Sequence, residues 1–364
     1  MSITTSPVRR SLLRTSLTGL LAVGLTACSL GGTSDEPEEQ AGDGPKRVVL
    51  ATHESWNMPK EVLDAFTEET GYRVVVQAAG DAGALTNKLV LTKGSPIADV
   101  VFGVDNTFAS RAVEEGVLAE FEPTDPPASV DGFELPDETG ASVLTPVDFG
   151  DVCVNVDDVW FEENDLEPPS TLDDLVRPEY EGLFVTPGAS TSSPGLAFLL
   201  ATVAEYGDGW TGYWEKLMAN GTRVTSGWTD AYTVDFTAGG GDGDRPVVLS
   251  YASSPPFTIP EGADEPTTST LLDTCFRQVE YAGVLEGAAN PAGAEALVDF
   301  MLSPTFQEAL PENMYVFPVD DAVELPEVWA RWAETAEDPL SVDPAEIARN
   351  RDEWLTTWGE ITTR

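Results

Sequence analysis

Apolar positions change period along this chain, and the changes mark out its elements. Arg47-Val-Val-Leu-Ala-Thr52 is a short β-rich run. It is followed by Asn57 as a potential cap, Pro59 near a first helical turn, Val62, Leu63 and Phe66 at helical spacing, and Gly71 as a stop. Residues 73–77 predict a second strand, 85–93 a second helix and 99–104 a third strand. This βαβαβ alternation predicts a largely parallel sheet covered by helices, with ligand-binding groups at the carboxyl ends of its strands. Those ends are His53-Glu54-Ser55, Gly80-Asp81-Ala82 and Asp105-Asn106.

Beyond the Pro-rich, acidic stretch 122–136 the pattern restarts. Residues 145–156 are extended and apolar, and Ser170-Thr-Leu-Asp173 has the form of a helix cap. Strands are predicted over 183–186 and 223–225, helices over 194–206 and after Trp228, and a strand over 246–251 that returns toward the first lobe. The result is an α/β chain of two lobes. Residues 46–147 begin lobe I, 148–252 form the first part of lobe II, 253–300 return to lobe I, and 301–364 supply carboxy-terminal helices mainly to lobe II. A chain that leaves a lobe and comes back makes a cleft spanned by at least two hinge strands, and such clefts close on small ligands.

The amino terminus sets the compartment. Arg9, Arg10 and Arg14 precede an apolar run over 17–27 that is too short for a permanent membrane span and reads as a signal peptide, residues 1–28. Its end, Leu25-Thr26-Ala27-Cys28, resembles a bacterial lipobox, which makes Cys28 the lipidated first mature residue. The arginine pair also suits twin-arginine export, so the route stays open between the two systems. Residues 29–45 are Gly, Pro, Ser, Asp and Glu with hardly an apolar side chain, so burial cannot offset their ordering entropy. They predict a tether of roughly 20–25 Å root-mean-square reach, enough to hold a body off a membrane that it touches only through its lipid.

Charge and cysteine content then narrow the partners. A net charge of −44, from 63 acidic and 19 basic residues, disfavours nucleic acid and favours cations, although most of these carboxylates are a solvated surface. Cys153 and Cys275 remain once Cys28 is set aside; in an exported body they are either a disulfide pair or two separate buried thiols. No cysteine and histidine cluster suggests a metal site, and a monomer without cofactor is expected.

Catalysis finds little support in the motifs. Serines cluster at 190, 192, 193, 250, 253 and 254, yet Gly188-Ala-Ser190-Thr-Ser192 lacks the second glycine of a nucleophile elbow. His53 is the single histidine and the only base available to a serine mechanism, so the reading is of a binding protein, with a secreted serine hydrolase as the rival from another class. Ser190-Thr-Ser-Ser-Pro194-Gly195 suits a helix start whose hydroxyls cap free amides, or whose amides hold a ligand hydroxyl or phosphate. Trp228, Tyr232, Tyr251 and Phe257 stand beside small polar residues at strand ends, a pattern suited to enclosing a cationic ring.

At these residues the chain resembles the thiamine-binding members of the type 2 periplasmic binding proteins. The likeness runs from about residue 48 to 358. It is carried by Ala98-Asp-Val-Val-Phe-Gly-Val-Asp105-Asn106, Thr191-Ser-Ser-Pro-Gly-Leu196, Gly227-Trp-Thr-Asp-Ala-Tyr232, Val248-Leu-Ser-Tyr-Ala-Ser-Ser-Pro255 and Phe300-Met-Leu-Ser-Pro-Thr-Phe-Gln307. It implies the two-lobed fold, capture of thiamine or thiamine phosphates, and delivery to the permease and ATPase subunits of an ABC importer. The implied ligand set is Asp81, Ala82, Ser192, Ser193, Trp228, Tyr251, Ala252, Ser253 and Ser254, with His53, Thr191, Phe257 and Tyr315 as further candidates. Trp228 and Tyr251 would face the rings, the serines the hydroxyethyl or phosphate end, and Asp81 would supply negative charge. His53 and Phe257 stand where the family has tyrosines and Tyr315 where it has a tryptophan; Trp56 is an added aromatic. A ferric-ion binder of the same fold is the nearest alternative, but it would want adjacent tyrosines, and no Tyr-Tyr pair occurs.

Overall fold

The computed structural model describes residues 46–136 and 140–364; the segments expected to be a signal peptide, a lipidated Cys28 and a tether lie outside the described residues. The first strand, β1 (Lys46–Thr52), pairs in parallel with β2 (Tyr72–Ala78) and β3 (Val100–Asp105). Between them run α1 (Lys60–Thr70) and α2 (Ala82–Leu91), and α3 (Ala109–Glu114) follows β3. The βαβαβ pattern is therefore realised. Period-2 alternation divides β1 between two layers: Val48 and Leu50 pack with Phe66, Leu297, Phe306 and Leu310, whereas Ala51 packs with Leu85, Leu89 and Ala112. Pro59, without help from Asn57, opens α1, and Gly71 closes it in the left-handed conformation at φ 74°.

Two long strands carry the chain between the lobes. β4 (Thr145–Asp157) and β8 (Thr268–Val284) pair antiparallel along most of their length, and β8 continues onto β3. On the far side β4 pairs with β7 (Val247–Tyr251), which runs parallel to β5 (Phe184–Pro187), which in turn pairs with β6 (Arg223–Thr225). The sheet order is β2-β1-β3-β8-β4-β7-β5-β6, with a two-residue β9 (Phe317–Pro318) on β4. Two expectations change here. The sheet is mixed in direction at its centre, and the strand that returns to lobe I is β8, because 247–251 stays inside lobe II between β4 and β5.

Lobe II has its own core, in which Val152, Val154, Phe184, Leu196, Leu200 and Trp214 meet. Helix α4 (Asp158–Glu163) covers one end, α5 (Ser193–Tyr206) packs across β5 and β7, and α6 (Trp210–Ala219) packs on α5. Trp214 is fully buried, and its indole N–H donates to Thr202 Oγ1 at 2.9 Å, so the ring contributes burial without an unpaired donor. The carboxy-terminal segment divides between the lobes. From α7 (Pro291–Met301), α8 (Pro304–Gln307) and α9 (Leu310–Met314), Leu297, Phe306 and Leu310 enter the lobe I core. From α11 (Pro344–Thr362), which follows the short α10 (Glu327–Trp332), Ile347 and Trp358 enter lobe II. Residues 301–314 thus pack differently from the expected lobe II placement, because their apolar face matches β1. A disulfide joins Cys153 on β4 to Cys275 on β8.

Candidate functional site

Strand ends and helix starts from both lobes meet around a cavity of about 310 Å³, at the lower end of the roughly 300–1,000 Å³ of small-molecule sites. His53, Glu54 and Trp56 enter from the end of β1, Asp81 and Ala82 from the start of α2, and Glu280 from the middle of β8. Lobe II contributes Ser193 and Pro194 from the start of α5, Trp228 and Thr229 from the segment after β6, and Tyr251 from the end of β7. Tyr315, after α9, completes the wall. A second cavity of about 300 Å³ shares Trp228 and Tyr315 and adds Tyr232, Ser254 and Phe257.

Hydrogen bonds across the cleft hold the lobes together. Asp81 caps its own helix by accepting from the Ala82 N–H at 2.6 Å. The same carboxylate accepts from two lobe II amides, Ser193 N–H at 3.3 Å and Trp228 N–H at 3.0 Å. Of the α5 amides expected to find a serine hydroxyl or a ligand anion, that of Ser193 is therefore met by an acid from the opposite lobe, while Ser192 at the N-cap makes no side-chain cap. A carboxylate at this position also complements the helix dipole. The Ser193 hydroxyl donates to Asp105 at the end of β3, and Ala84 N–H donates to Thr191 O at 3.2 Å. Gly83 permits that approach, since a Cβ there would lie 2.7 Å from Phe108 Cζ and 2.8 Å from the Thr191 carbonyl carbon.

The aromatic wall is rigid by construction. Trp228 stacks on Tyr232 with ring centroids 5.1 Å apart and planes 14° apart, and meets Tyr251 edge-on at 6.3 Å. Its indole N–H donates to Ser250 Oγ at 3.0 Å, and Ser250 is 2.8 Å from Ser254 Oγ. The Tyr251 hydroxyl donates to Gln278 Oε1 at 3.1 Å. Phe257 and Tyr315 meet edge to face with centroids 3.9 Å apart, and Ser253 Oγ holds the Tyr315 carbonyl at 2.6 Å. An aromatic lattice of fixed planes offers faces to a flat cation without spending rotamer entropy on binding.

Carboxylates form the floor. Glu280 is register-paired with Asp105 on one neighbouring strand and Asp148 on the other. Burial pushes the Asp105 carboxyl up to about 7, against the hydrogen bonds it receives from Ser193 and Thr107. Burial, then the Glu280 charge, holds Asp148 well above the usual carboxylate range. Burial also raises Glu54, with Asp81 and Asp230 adding to it. Among the described residues that line the cavity there is no lysine or arginine.

Of the residues singled out from sequence, Asp81, Ala82, Ser193, Trp228, Tyr251, His53 and Tyr315 line the main cavity, and Ser254 and Phe257 the second. Ser192, Ser253 and Thr191 lie behind the wall, where Ser253 and Thr191 position backbone. Ala252 faces a different cavity, beside Pro255 and Trp332. Glu280 and Asp148 are not among the residues expected from sequence: each shares its strand with several other polar residues, so neither acid stands out before the chain is folded.

A mixed sheet crossed by two hinge strands, closed over an aromatic and acidic cleft, defines a two-lobed solute-binding protein. The chain belongs to the bacterial extracellular solute-binding protein family, whose model matches residues 57–308. It is 30% identical over 337 residues to the thiamine-binding periplasmic protein of Brucella abortus biovar 1 (strain 9-941), covering 90% of this chain and 95% of that one. The thiamine-binding periplasmic protein of Escherichia coli (strain K12) is 30% identical over 311 residues, with 85% and 90% covered. Among solved structures, a periplasmic thiamin binding protein superposes with a TM-score of 0.75 at 28% identity, covering 89% of this chain and all of that one.

Proposed function

We propose that this protein captures thiamine outside the cytoplasm and delivers it to an ABC importer. The observation that carries this reading is the pairing of an aromatic box, Trp228, Tyr232 and Tyr251, with cavity-lining Glu54, Asp81 and Glu280 and no lining lysine or arginine among the described residues. Thiamine carries two flat aromatic rings joined by a methylene bridge, one of them a permanently charged thiazolium, and ring faces and carboxylates together suit it better than either alone. Relatives named for thiamine, matched over most of both chains, support the same reading. Capture is a population shift: contacts made only when the lobes meet favour the closed form, and no bond is broken. Isothermal calorimetry on the purified chain is expected to give one site with thiamine. Absence of heat and of competition at micromolar thiamine, or stoichiometric iron by metal analysis, would replace this reading with the ferric-ion alternative or another solute.

Delivery at a membrane is supported by the lipobox-like Leu25-Thr26-Ala27-Cys28 and the acidic tether behind it. Cys28→Ser is expected to move the protein from the membrane fraction to the soluble fraction with its ligand affinity retained. A variant that stays with membranes would remove the lipid anchor from the proposal.

A further inference from the structure

Glu280 lines the cavity but is only 6% exposed, and its strand neighbours Asp105 and Asp148 are 0% exposed. Three acids thus lie in a row across β3, β8 and β4 beneath the cleft. Arg277 on the same strand is taken by Asp151, to which it donates two N–H groups at 2.8 Å each. The side chain that offers positive charge at this floor is His53, with Nε2 3.5 Å from Glu280 Oε1. Its imidazole fills the space above Gly103, where a Cβ would come within 2.3 Å of Cδ2, and its ring lies 5.6 Å from Phe102. The pair is therefore set in place by packing before any ligand arrives. Asp81 and Glu54 face His53 from α2 and the chain after β1, while Tyr251 faces Glu280 from β7.

A buried carboxylate needs a counter-charge. We propose that Glu280 recognises the ligand's positive charge, that protonated His53 is its counter-ion in the empty cleft, and that a captured cation takes over from His53, whose proton leaves to solvent. This rests on the reading of the ligand as thiamine or a like cation. It adds a recognition residue, and a proton exchanged on capture, to the implied ligand set. The sign follows from the surroundings. Burial works against charge on His53, but Glu280 first, then Asp81 and Glu54, outweigh it and raise the group above its ordinary 6.5. A cation beside Glu280 withdraws that support and repels the imidazolium, so the same group titrates lower in the complex. Linkage then requires affinity to rise with pH between the bound and free titration points and to level off above them.

His53 is the only histidine, so one resonance reports it. In the ligand-free chain, NMR titration is expected to place it above 6.5, and Glu280→Gln to lower it. Calorimetry with thiamine in buffers of different ionisation enthalpy is expected to show release approaching one proton per site near pH 6 and little near pH 8.5. His53→Gln should abolish most of that release and flatten the affinity's pH dependence, and Glu280→Gln should weaken binding on the order of 10- to 100-fold. Thiamine binding without proton release in the unsubstituted chain, or release undiminished by His53→Gln, overturns the proposal. If thiamine gives no binding at all, the ligand reading fails separately, and the pair is judged on the histidine resonance: a titration at or below 6.5 that ignores Glu280→Gln overturns it.

Discussion

Trp228→Ala is expected to weaken thiamine binding by about 10- to 300-fold. The estimate joins a cation-ring attraction of roughly 1–2 kcal/mol in a largely dry site to a ring-ring term of about 0.5–1.5 kcal/mol, at 1.4 kcal/mol per decade. Trp228 is the residue on which both apply, since it borders both cavities and stacks on Tyr232 while meeting Tyr251 edge-on. Trp228→Phe keeps a ring face but loses the bond to Ser250 Oγ, so its loss should stay within about 10-fold. Calorimetry with a melting curve for each variant reads both. An alanine variant that melts normally and binds as before would take the aromatic box out of the recognition mechanism.

The second large effect falls on stability. Cys153 and Cys275 close a loop across a sequence separation of 122 residues. Cross-linking so long a loop restricts the unfolded chain by an amount worth about 4–5 kcal/mol in the chain-entropy model, with about 2–5 kcal/mol typical on removal. The double substitution Cys153→Ala with Cys275→Ala should therefore lower the urea midpoint clearly and, because the unbridged unfolded chain is less compact, raise the denaturant slope. Because the bridge ties together the two strands that connect the lobes, its loss acts on the hinge as well as on the unfolded state. Equal midpoints for the native and bridge-free chains would show that the pair contributes little.

Legibility from sequence followed the range of the interactions. Strands β1 to β3 and their helices were readable because alternation and helical spacing are local signals, and each buries one face against its neighbours. β8 was missed: Thr-Ser-Thr-Leu-Leu-Asp-Thr-Cys-Phe-Arg-Gln-Val-Glu carries too many polar residues to read as a buried strand. They are accommodated because distant partners answer them, Asp151 for Arg277 and His53 for Glu280. The ligand set behaved likewise. Trp228 and Tyr251 were marked by their setting at strand ends, whereas Ser192 and Ser253 share that setting yet lie behind the wall, a distinction that depends on packing.

Asp81 shows the division most plainly. Its place at the end of a strand is legible in the sequence, whereas the helix expected over 85–93 starts at Ala82, so that the structure makes Asp81 its N-cap, a role that needs only residues beside it in the chain. The aromatic and acidic make-up of the cleft, the pair of cysteines and the lipobox-like terminus are equally properties of the sequence. The tertiary structure decided that Asp81 also holds Ser193 and Trp228 of the other lobe, that Asp105, Glu280 and Asp148 align on adjacent strands, and that His53 answers them. Those contacts join residues up to 227 positions apart, from His53 to Glu280, and their energy exists only after the chain has folded and excluded water from the groups concerned.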